Sequence, residues 1–343
     1  MIRTEGLTKR FGALSAVDDV ALDVRRGDIY GFLGANGSGK TTTMRMLLGL
    51  VLATSGTIEV LGRPIPRAAR EVLGSVGALV EGPAAYGHLS GHTNLRLLDA
   101  SAPVAGGAGN RRRRIDEALE QVGLAGVGSR PVKAYSLGMR QRLGLAAALL
   151  RPHELLILDE PTNGLDPQGI REIRELLVRL HAAGTTIFLS SHLLAEVEQL
   201  CTRVGVLDRG RLVLQEQLET LQAATGRTVV RTPDAAAVVS LLDGRVESRE
   251  GDRLLIRAAD PAELNARMVA GGIRVIELRP ERRSLEDVVH ERTGAAGDRV
   301  DGVDRVAGVA GVHGVAGLAG VDGVDASGPI RPVSVDPAAG TRP

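Results

Sequence analysis

Short apolar runs alternate with longer amphipathic stretches over residues 1 to about 220. The runs are rich in β-branched residues and have the length of strands, whereas the longer stretches repeat their apolar positions with helical spacing. The predicted strands are Ile29–Leu33, Thr57–Leu61, Val76–Val80, Leu155–Leu158, Thr186–Leu189 and Val204–Leu207. The predicted helices are Lys40–Leu50, Arg114–Val122, Gln141–Leu150, Gln168–His181 and Leu193–Cys201. This alternation predicts an α/β fold around a mostly parallel sheet.

Two features modify that sheet. Asp208–Arg211 separates two apolar runs and predicts a turn between antiparallel edge strands, so we expect a mixed sheet. Strand patterns are absent between about residues 81 and 135, which predicts an inserted, mainly helical subdomain over about residues 82–145. The run Arg111–Arg114 lies in this insert, and we interpret it as a solvated helix start or loop, with contact to phosphate or lipid as the alternative.

A different pattern begins near residue 226. Its elements follow the order β-α-β-β-α-β and end in a helix at Ser284–Arg292, which predicts a small α+β domain of split-βαβ type over residues 226–294. After residue 294, glycines recur mostly every third position, and Val303–Val324 contains no proline, so the segment is not collagen-like. We predict a disordered low-complexity tail over residues 295–343, with a short β-helical stack as the alternative, after an ATP-binding domain over residues 1–222.

Composition excludes several classes of protein. The 42 basic and 41 acidic side chains leave a formal charge of +1, and the chain has three Tyr, three Phe and no Trp, which argues against a nucleic-acid partner. Cys201 is the only cysteine, so an internal disulfide and a thiolate metal cage are both excluded. No apolar stretch approaches 18 residues, so we expect no membrane-spanning helix.

The strongest chemical motif follows the strand Ile29–Leu33. It reads Gly34-Ala35-Asn36-Gly37-Ser38-Gly39-Lys40-Thr41-Thr42 and opens a helix. This is the G-x-x-x-x-G-K-[ST] phosphate loop in its strand–loop–helix context, where backbone N–H groups bind phosphate oxygens. Lys40 would neutralise the β- and γ-phosphates, and the Thr41 hydroxyl would ligate Mg²⁺. The chain contains three lysines in all, so a chance match is rare; a plain glycine-rich turn is the alternative.

Two carboxylates follow the predicted strand Leu155–Leu158. Asp159 and Glu160 would lie at the carboxyl edge of the sheet, where α/β proteins bind their ligands. Asp159 would hold Mg²⁺, and Glu160 would orient or deprotonate the attacking water. An apolar strand that ends in two acidic residues is common by itself. Its position downstream of a phosphate loop is what favours a nucleotide-binding role.

Together these motifs resemble those of the ATP-binding cassette (ABC) ATPases over about residues 2–220. Tyr135–Arg142 resembles the family's signature motif, in which Ser136 and Gly138 would bind the γ-phosphate held by another subunit. Asn163–Pro167 resembles the D-loop, which crosses the dimer interface and makes Asp166 an expected nucleotide-binding residue.

Two further positions match the family. His192 resembles the switch histidine that contacts the γ-phosphate, with an ordinary surface or core histidine as the alternative. Phe11 matches the aromatic residue that stacks on adenine, with an apolar core role as the alternative.

The sequence departs from the common family pattern at two places. Glu81 stands where most members have a glutamine; it can still offer an oxygen to Mg²⁺, but it adds a charge near the other two carboxylates. The signature carries Leu137 and Met139 where the common form has Gly and Gln. Both departures resemble the antibiotic-resistance branch of bacitracin, lantibiotic-immunity and daunorubicin-type exporters, as does the fragment Ser284–Val289.

The resemblance implies a P-loop cassette that sandwiches ATP and Mg²⁺ between two copies of the chain, an ATP-dependent homodimer. It also implies a separate ABC-2-type membrane permease, gripped through the insert around Glu81–Asn94, and a position on the cytoplasmic face of the cell membrane. The expected function is ATP hydrolysis that drives export of an antibiotic, drug or peptide. The alternatives are a soluble ABC-type ATPase acting on nucleic acid or ribosomes, and a phosphate-loop kinase for a small molecule.

Overall fold

The structure is a computed structural model that describes residues 1–82, 84–101 and 110–293. The predicted tail over residues 295–343 and a short part of the predicted helical insert lie outside these described residues. Within the described ranges, none of the helices combines the length and the apolar character needed to cross a membrane.

The strands and helices are numbered in chain order. The strands are β1 (Ile2–Phe11), β2 (Leu14–Val20), β3 (Asp23–Val24), β4 (Ile29–Leu33), β5 (Ser55–Val60), β6 (Arg63–Pro64), β7 (Val76–Leu79), β8 (Leu155–Leu158), β9 (Thr186–Ser191), β10 (Arg203–Asp208), β11 (Arg211–Gln217), β12 (Ala224–Arg231), β13 (Val246–Glu250), β14 (Arg253–Arg257) and β15 (Glu277–Arg282). The helices are α1 (Lys40–Leu47), α2 (Ala69–Val72), α3 (Gly91–Ser101), α4 (Arg111–Gln121), α5 (Leu137–Ala148), α6 (Pro167–Ala182), α7 (Leu194–Leu200), α8 (Leu218–Leu221), α9 (Ala235–Leu241), α10 (Pro261–Ala270) and α11 (Leu285–Thr293).

A six-stranded sheet carries the candidate site. Its order is β11-β10-β4-β9-β8-β7, and every neighbouring pair is parallel except β10 and β11, which form the predicted antiparallel hairpin. Every residue of β4, β8 and β9 is buried, as expected for strands covered on both faces. The predicted mixed sheet is therefore confirmed, and the carboxyl ends of β4, β8 and β9 meet at one edge.

A second sheet covers one face of the first. It runs β2-β1-β5-β6 with β3 beside β1, and all of its pairs are antiparallel. The expectation that Thr57–Leu61 joins the parallel sheet is wrong, because β5 pairs with β1 instead. Its alternation explains the difference: Ile58 and Val60 are buried while Thr57 and Glu59 are exposed, the pattern of a strand covered on one face.

Two apolar layers sandwich the six-stranded sheet. On one face the Phe188 ring contacts those of Tyr30 and Phe32, and all three pack towards α1 and the second sheet. On the other face the alternate residues of the same strands pack against α5, α6 and α7. The strands that end at the candidate site are thereby held on both sides.

The helices α3, α4 and α5 lie between β7 and β8 in the sequence, as predicted for the insert. The Asp99 side chain is fully buried there, and Arg111, Arg114 and Arg151 donate to its carboxylate. The run does begin a helix, and Arg112 and Arg113 are exposed as expected. Arg111 and Arg114 are partly buried instead, because a buried carboxylate requires paired donors.

The last strands form a separate four-stranded sheet. Its order is β13-β14-β12-β15, all antiparallel, and the elements from β12 to α11 follow the predicted order. One face packs on α9 and α10 around Val230 and Ile256. The last helix leaves this layer: Leu285 is buried in the large apolar layer of α5 to α7, and its N–H donates to the Glu198 carboxylate on α7 at 2.6 Å.

Candidate active site

The phosphate-loop sequence connects β4 to α1 in a backbone path that only glycine allows. Gly39 has φ 107°, a left-handed conformation that side chains rarely adopt. A Cβ at Gly39 would lie 2.4 Å from the Ala16 carbonyl oxygen, and a Cβ at Gly34 would lie 2.4 Å from that of Leu207. The loop therefore packs closely against β2 and β10. Its backbone leads directly into the first turn of α1.

Two polar side chains lie inside this loop. The Lys40 ammonium donates to the Gly34 and Ala35 carbonyls at 2.6 and 3.1 Å, and burial lowers its pKa against the opposing effect of nearby carboxylates. The Ser38 hydroxyl is buried without a hydrogen-bond partner among the described residues. A buried cation and an unpaired hydroxyl in a glycine loop fit phosphate oxygens, which accept hydrogen bonds from both.

Asp159 lies at the end of β8, opposite the start of α1. Its carboxylate accepts from the Thr41 hydroxyl at 2.8 Å through one oxygen and from the Ser190 hydroxyl at 2.5 Å through the other. Its N–H donates to the Leu79 carbonyl on β7, so the residue is fixed from three strands or helices at once.

Glu160 has a left-handed backbone with φ 49°, which costs a non-glycine residue roughly 1 kcal/mol or more. Its N–H donates to the Ser190 hydroxyl, and its carbonyl accepts from the Gln141 amide, both at 2.9 Å. In this conformation one carboxylate oxygen lies 2.5 Å from Nδ1 of His192, and the other lies 3.9 Å from the Lys40 ammonium. The predicted catalytic pair is thus in direct contact beside the phosphate loop.

Glu81 lines the same cleft, which has a volume of about 480 Å³ and also contains Thr41, Asp159 and Glu160. Its carboxylate forms an ion pair with Arg45, which lies in the last turn of α1. Half of the Glu81 side chain is exposed. The extra negative charge noted in the sequence therefore has a cationic partner, which the sequence analysis did not identify.

The protein oxygens at this site are too few to hold Mg²⁺ alone, but they suit Mg²⁺ that is also bound by a phosphate. The described residues contain no group of three or more His, Cys, Asp or Glu placed to hold a metal. Mg²⁺ is commonly held by one or two carboxylates together with substrate phosphates and water. The Thr41 hydroxyl and the Asp159 carboxylate, 2.8 Å apart beside the phosphate loop, are oxygen donors of that kind.

Three further predicted residues, Ser136, Gly138 and Asp166, lie at the starts of α5 and α6. Ser136 caps α5 by accepting from the Met139 N–H at 3.2 Å, and its side chain is exposed. Asp166 caps α6 by accepting from the Gly169 N–H at 2.8 Å. Gly138 packs against the segment before α6, so the signature and D-loop sequences touch each other.

Phe11 lies at the end of β1, and 51% of its surface is exposed. The alternative of an apolar core role is therefore wrong. The Lys9 ammonium lies 4.8 Å from the centre of its ring. Because β1 pairs with β2, and Ala16 on β2 touches the phosphate loop, the exposed ring belongs to the sheet that borders the site.

The family model described as ABC transporter matches residues 17–163. The bacitracin transport ATP-binding protein of Bacillus licheniformis is 40% identical over 296 residues, which cover 84% of this chain and 95% of that protein. The chain belongs to the ABC transporter family. The predicted P-loop cassette fold and the ATP-binding assignment are confirmed for this ABC protein.

Other relatives agree with the predicted branch. The lantibiotic transport ATP-binding protein SrtF of Streptococcus pyogenes is 39% identical, covering 64% of this chain and 92% of that protein. The daunorubicin resistance ATP-binding protein DrrA3 of Streptomyces coeruleorubidus is 37% identical, covering 85% and 96%. A solved ATP-binding subunit of an ABC transporter has a TM-score of 0.58 at 29% identity, covering 64% of this chain and 91% of that one.

Sequence reasoning missed three polar residues of this ABC site. Ser190, Gln141 and Arg45 contact Asp159, Glu160 and Glu81, as described above. Weak signals were present, because Ser190 lies two residues before His192 and Gln141 lies within the signature Tyr135–Arg142. Neither was assigned a contact, because the neighbouring strand or helix that each one touches is distant in sequence.

Proposed function

We propose that this protein is the ATP-hydrolysing subunit of a bacterial ABC exporter that moves an antibiotic, drug or peptide. The observation that carries the proposal is the contact of Glu160 with His192 beside the phosphate loop, next to the Thr41–Asp159 pair. The export part rests on the relatives named for bacitracin and lantibiotic transport and for daunorubicin resistance.

In the proposed reaction, the loop of residues 34–42 and the Lys40 ammonium bind the phosphates of ATP. Mg²⁺, when bound, would be held by Thr41 and Asp159, with Glu81 at the same cleft, and would offset phosphate charge. Glu160 accepts a proton from a water whose oxygen attacks the γ-phosphorus. The bond from that phosphorus to the bridging oxygen breaks, and ADP and phosphate result.

His192 and Phe11 have supporting roles in this scheme. His192 orients the Glu160 carboxylate through Nδ1, 2.5 Å away. We infer that its ring also contacts the γ-phosphate. The exposed Phe11 ring stacks on the adenine base, since an exposed aromatic face beside the loop suits a flat heterocycle.

A second copy of the chain would complete each site. Ser136, Gly138 and Asp166 belong to caps and turns at the starts of α5 and α6, where unpaired N–H groups attract anions. None of the three lines the cleft that contains Thr41 and Asp159, although their neighbours Leu137 and Asn163 do. We therefore infer a two-fold homodimer in which each copy offers these residues to the ATP held by its partner.

The membrane component is proposed to be a separate ABC-2-type permease. The segment around Glu81–Asn94 joins β7 to the helices α3 to α5. We infer that it contacts the permease and transmits closure of the dimer. This arrangement puts residues 1–222 on the cytoplasmic face of the cell membrane as the ATP-binding domain. Residues 226–294 would then form a second domain that regulates or stabilises the dimer.

The variant Glu160→Gln tests the ATPase assignment. It keeps the shape of the side chain but removes the proton acceptor, so we expect hydrolysis to fall about 10²- to 10⁴-fold while ATP binding persists. With hydrolysis blocked, ATP should trap the dimer, which size-exclusion chromatography would detect. Unchanged turnover would remove Glu160 from the proposed role.

Purification of the protein from native membranes tests the transport assignment. A multi-span membrane protein should co-purify in stoichiometric amount and change the rate of ATP hydrolysis. Recovery with ribosomes or DNA would instead favour the alternative of a soluble ABC-type ATPase, which the names of the relatives do not support.

A further inference from the structure

Ser190 connects the two carboxylate residues of the proposed site from a neighbouring strand. The pairing of β8 with β9 joins Leu158 to Leu189, so β9 continues past the end of β8. Ser190 is the first residue of that extension and lies beside Asp159 and Glu160. Its side chain has no exposed surface.

The hydroxyl of Ser190 is used in both directions. It donates to one oxygen of the Asp159 carboxylate at 2.5 Å and accepts from the N–H of Glu160 at 2.9 Å. A serine hydroxyl has a single donor, so the bond to the carboxylate and the bond from the backbone together fix its orientation. Removal of the oxygen leaves a buried carboxylate oxygen of Asp159 and the partly buried N–H of Glu160 without these partners.

These two hydrogen bonds set the orientation of the Asp159 carboxylate and of the Glu160 backbone. The other Asp159 oxygen accepts from Thr41, so two hydroxyls together set the plane of the carboxylate. The N–H of Glu160 belongs to a residue with a left-handed backbone, and that conformation directs its carboxylate to His192. One buried oxygen therefore positions a proposed metal ligand and a proposed general base at the same time.

We infer that Ser190 is a positioning residue for ATP hydrolysis, whose hydroxyl fixes the Asp159 carboxylate for Mg²⁺ and the Glu160 backbone for proton transfer. The inference rests on the proposed ATPase function. Groups that orient the ligands of a metal typically change metal affinity or activity by about 10- to 100-fold when removed.

The test compares Ser190→Ala with Thr186→Val. Thr186 lies at the opposite end of β9, is also fully buried, and its hydroxyl accepts from the Gly27 N–H at 3.0 Å. Both substitutions remove one buried hydroxyl from the same strand, but only Ser190 touches the proposed site. The Thr186 variant therefore measures the effect of a lost buried hydrogen bond alone.

The first readout is binding of a fluorescent ATP analogue as Mg²⁺ is titrated. For Ser190→Ala we expect the half-saturating Mg²⁺ concentration to rise about tenfold or more, with unchanged affinity for the analogue in EDTA. The second readout is hydrolysis, where kcat should fall about 10- to 100-fold with a smaller change in KM. Thr186→Val should leave both readouts near those of the unaltered protein.

Ser190→Thr retains the hydroxyl and should recover most of the Mg²⁺ response. If Ser190→Ala does not fold, Ser190→Cys preserves the side-chain volume with a weak donor and carries the same expectation. An unchanged Mg²⁺ requirement in Ser190→Ala, or in Ser190→Cys where that variant replaces it, overturns the inference and leaves the ATPase proposal standing. An equal loss in Thr186→Val has the same consequence. Absence of hydrolysis in the unaltered protein would overturn the ATPase proposal itself.

Discussion

The ATP-binding segment buries charged side chains, and the C-terminal segment exposes them. Among the described residues, the buried charged side chains all precede residue 222: Asp28, Lys40, Asp99, Asp159 and Arg203. Strands β12 to β15 instead carry arginine–glutamate pairs at the surface, such as Arg257 with Glu247. The difference shows where a polar contact has large consequences, since a buried group that loses its partner has no water to replace it.

Two aspartates make the difference concrete. Burial opposes ionisation of Asp99, yet hydrogen bonds from Arg114 and Arg111 hold its pKa at about 2. Hydrogen bonds from Arg274 likewise hold the pKa of Asp234 at about 2, at the surface of the C-terminal segment. The same pKa thus arises in different surroundings. Because water and salt screen the exposed pair of Asp234, its shift should correspond to less stability than that of Asp99.

The largest effect is expected from Asp99→Ala. It leaves three arginines around a buried cavity, and breaking a buried ionic contact typically costs about 3–5 kcal/mol. Urea unfolding measures the loss. Asp116→Ala is the matched control, because Asp116 lies on α4 in an exposed pair with Arg112. Equal stability of the two variants would contradict the argument from burial.

The free energy of unfolding should also depend on pH through the Asp99 carboxylate. Because folding lowers the pKa of Asp99 from 3.8 to about 2, its contribution is complete above about pH 4 and is lost as the pH falls through 2. The expected contribution is about 2 kcal/mol. Asp99→Asn should show a shallower dependence of unfolding free energy on pH between 4 and 2. If the unfolding free energy of Asp99→Asn depends on pH as it does in the unaltered protein, groups other than Asp99 cause the loss of stability in acid.

A smaller effect, on binding rather than folding, is expected from Lys40→Met. The substitution keeps the length of the side chain and removes the buried cation, so one charge-assisted contact of about 1.5–3 kcal/mol to phosphate is lost. A fluorescent ATP analogue should bind roughly 10- to 100-fold more weakly. Lys133→Met, at an exposed position, should bind normally. An affinity of Lys40→Met within twofold of the unaltered protein would exclude Lys40 from the site.

The Arg45–Glu81 ion pair is partly exposed. Its loss should therefore change ATP hydrolysis less than the loss of a buried contact would. Arg45→Gln leaves the Glu81 charge without its partner near Asp159, and partly exposed pairs contribute about 0.5–1 kcal/mol. We expect hydrolysis to fall roughly two- to fivefold and to recover in the double variant with Glu81→Gln. A double-mutant cycle of kcat/KM measures this, and strictly additive effects would show that the pair is not coupled.

The smallest effect is expected from Asp234→Asn. The ion pair with Arg274 lies at the surface, where water and salt replace it at little cost. The melting temperature should change by less than about 2 °C. A loss comparable with that of Asp99→Ala would show that this contact anchors the C-terminal sheet.

The sequence predicts the parts of the site that lie on consecutive residues. The phosphate loop, Asp159 and Glu160 were identifiable because each motif is contiguous and follows a buried strand. The six-stranded sheet was predictable for the same reason, since fully apolar runs such as Leu155–Leu158 admit few alternatives.

Contacts between distant residues were not predictable. Ser190 and Gln141 reach Glu160 from another strand and another helix, and their positions depend on register, which a single sequence leaves open. The second sheet was missed because bulges interrupt the alternation of β1 between Leu7 and Arg10. Asp99 gave no sign of burial, because its three partners come from two other segments.

The left-handed backbone of Glu160 has a consequence for laboratory evolution. Glycine adopts φ 49° without steric penalty, and asparagine does so more readily than glutamate, so both would relieve this strain. A library selected for heat resistance alone should therefore accumulate them at position 160. Each would remove the carboxylate that His192 holds, so selection for stability and selection for turnover oppose each other at this residue.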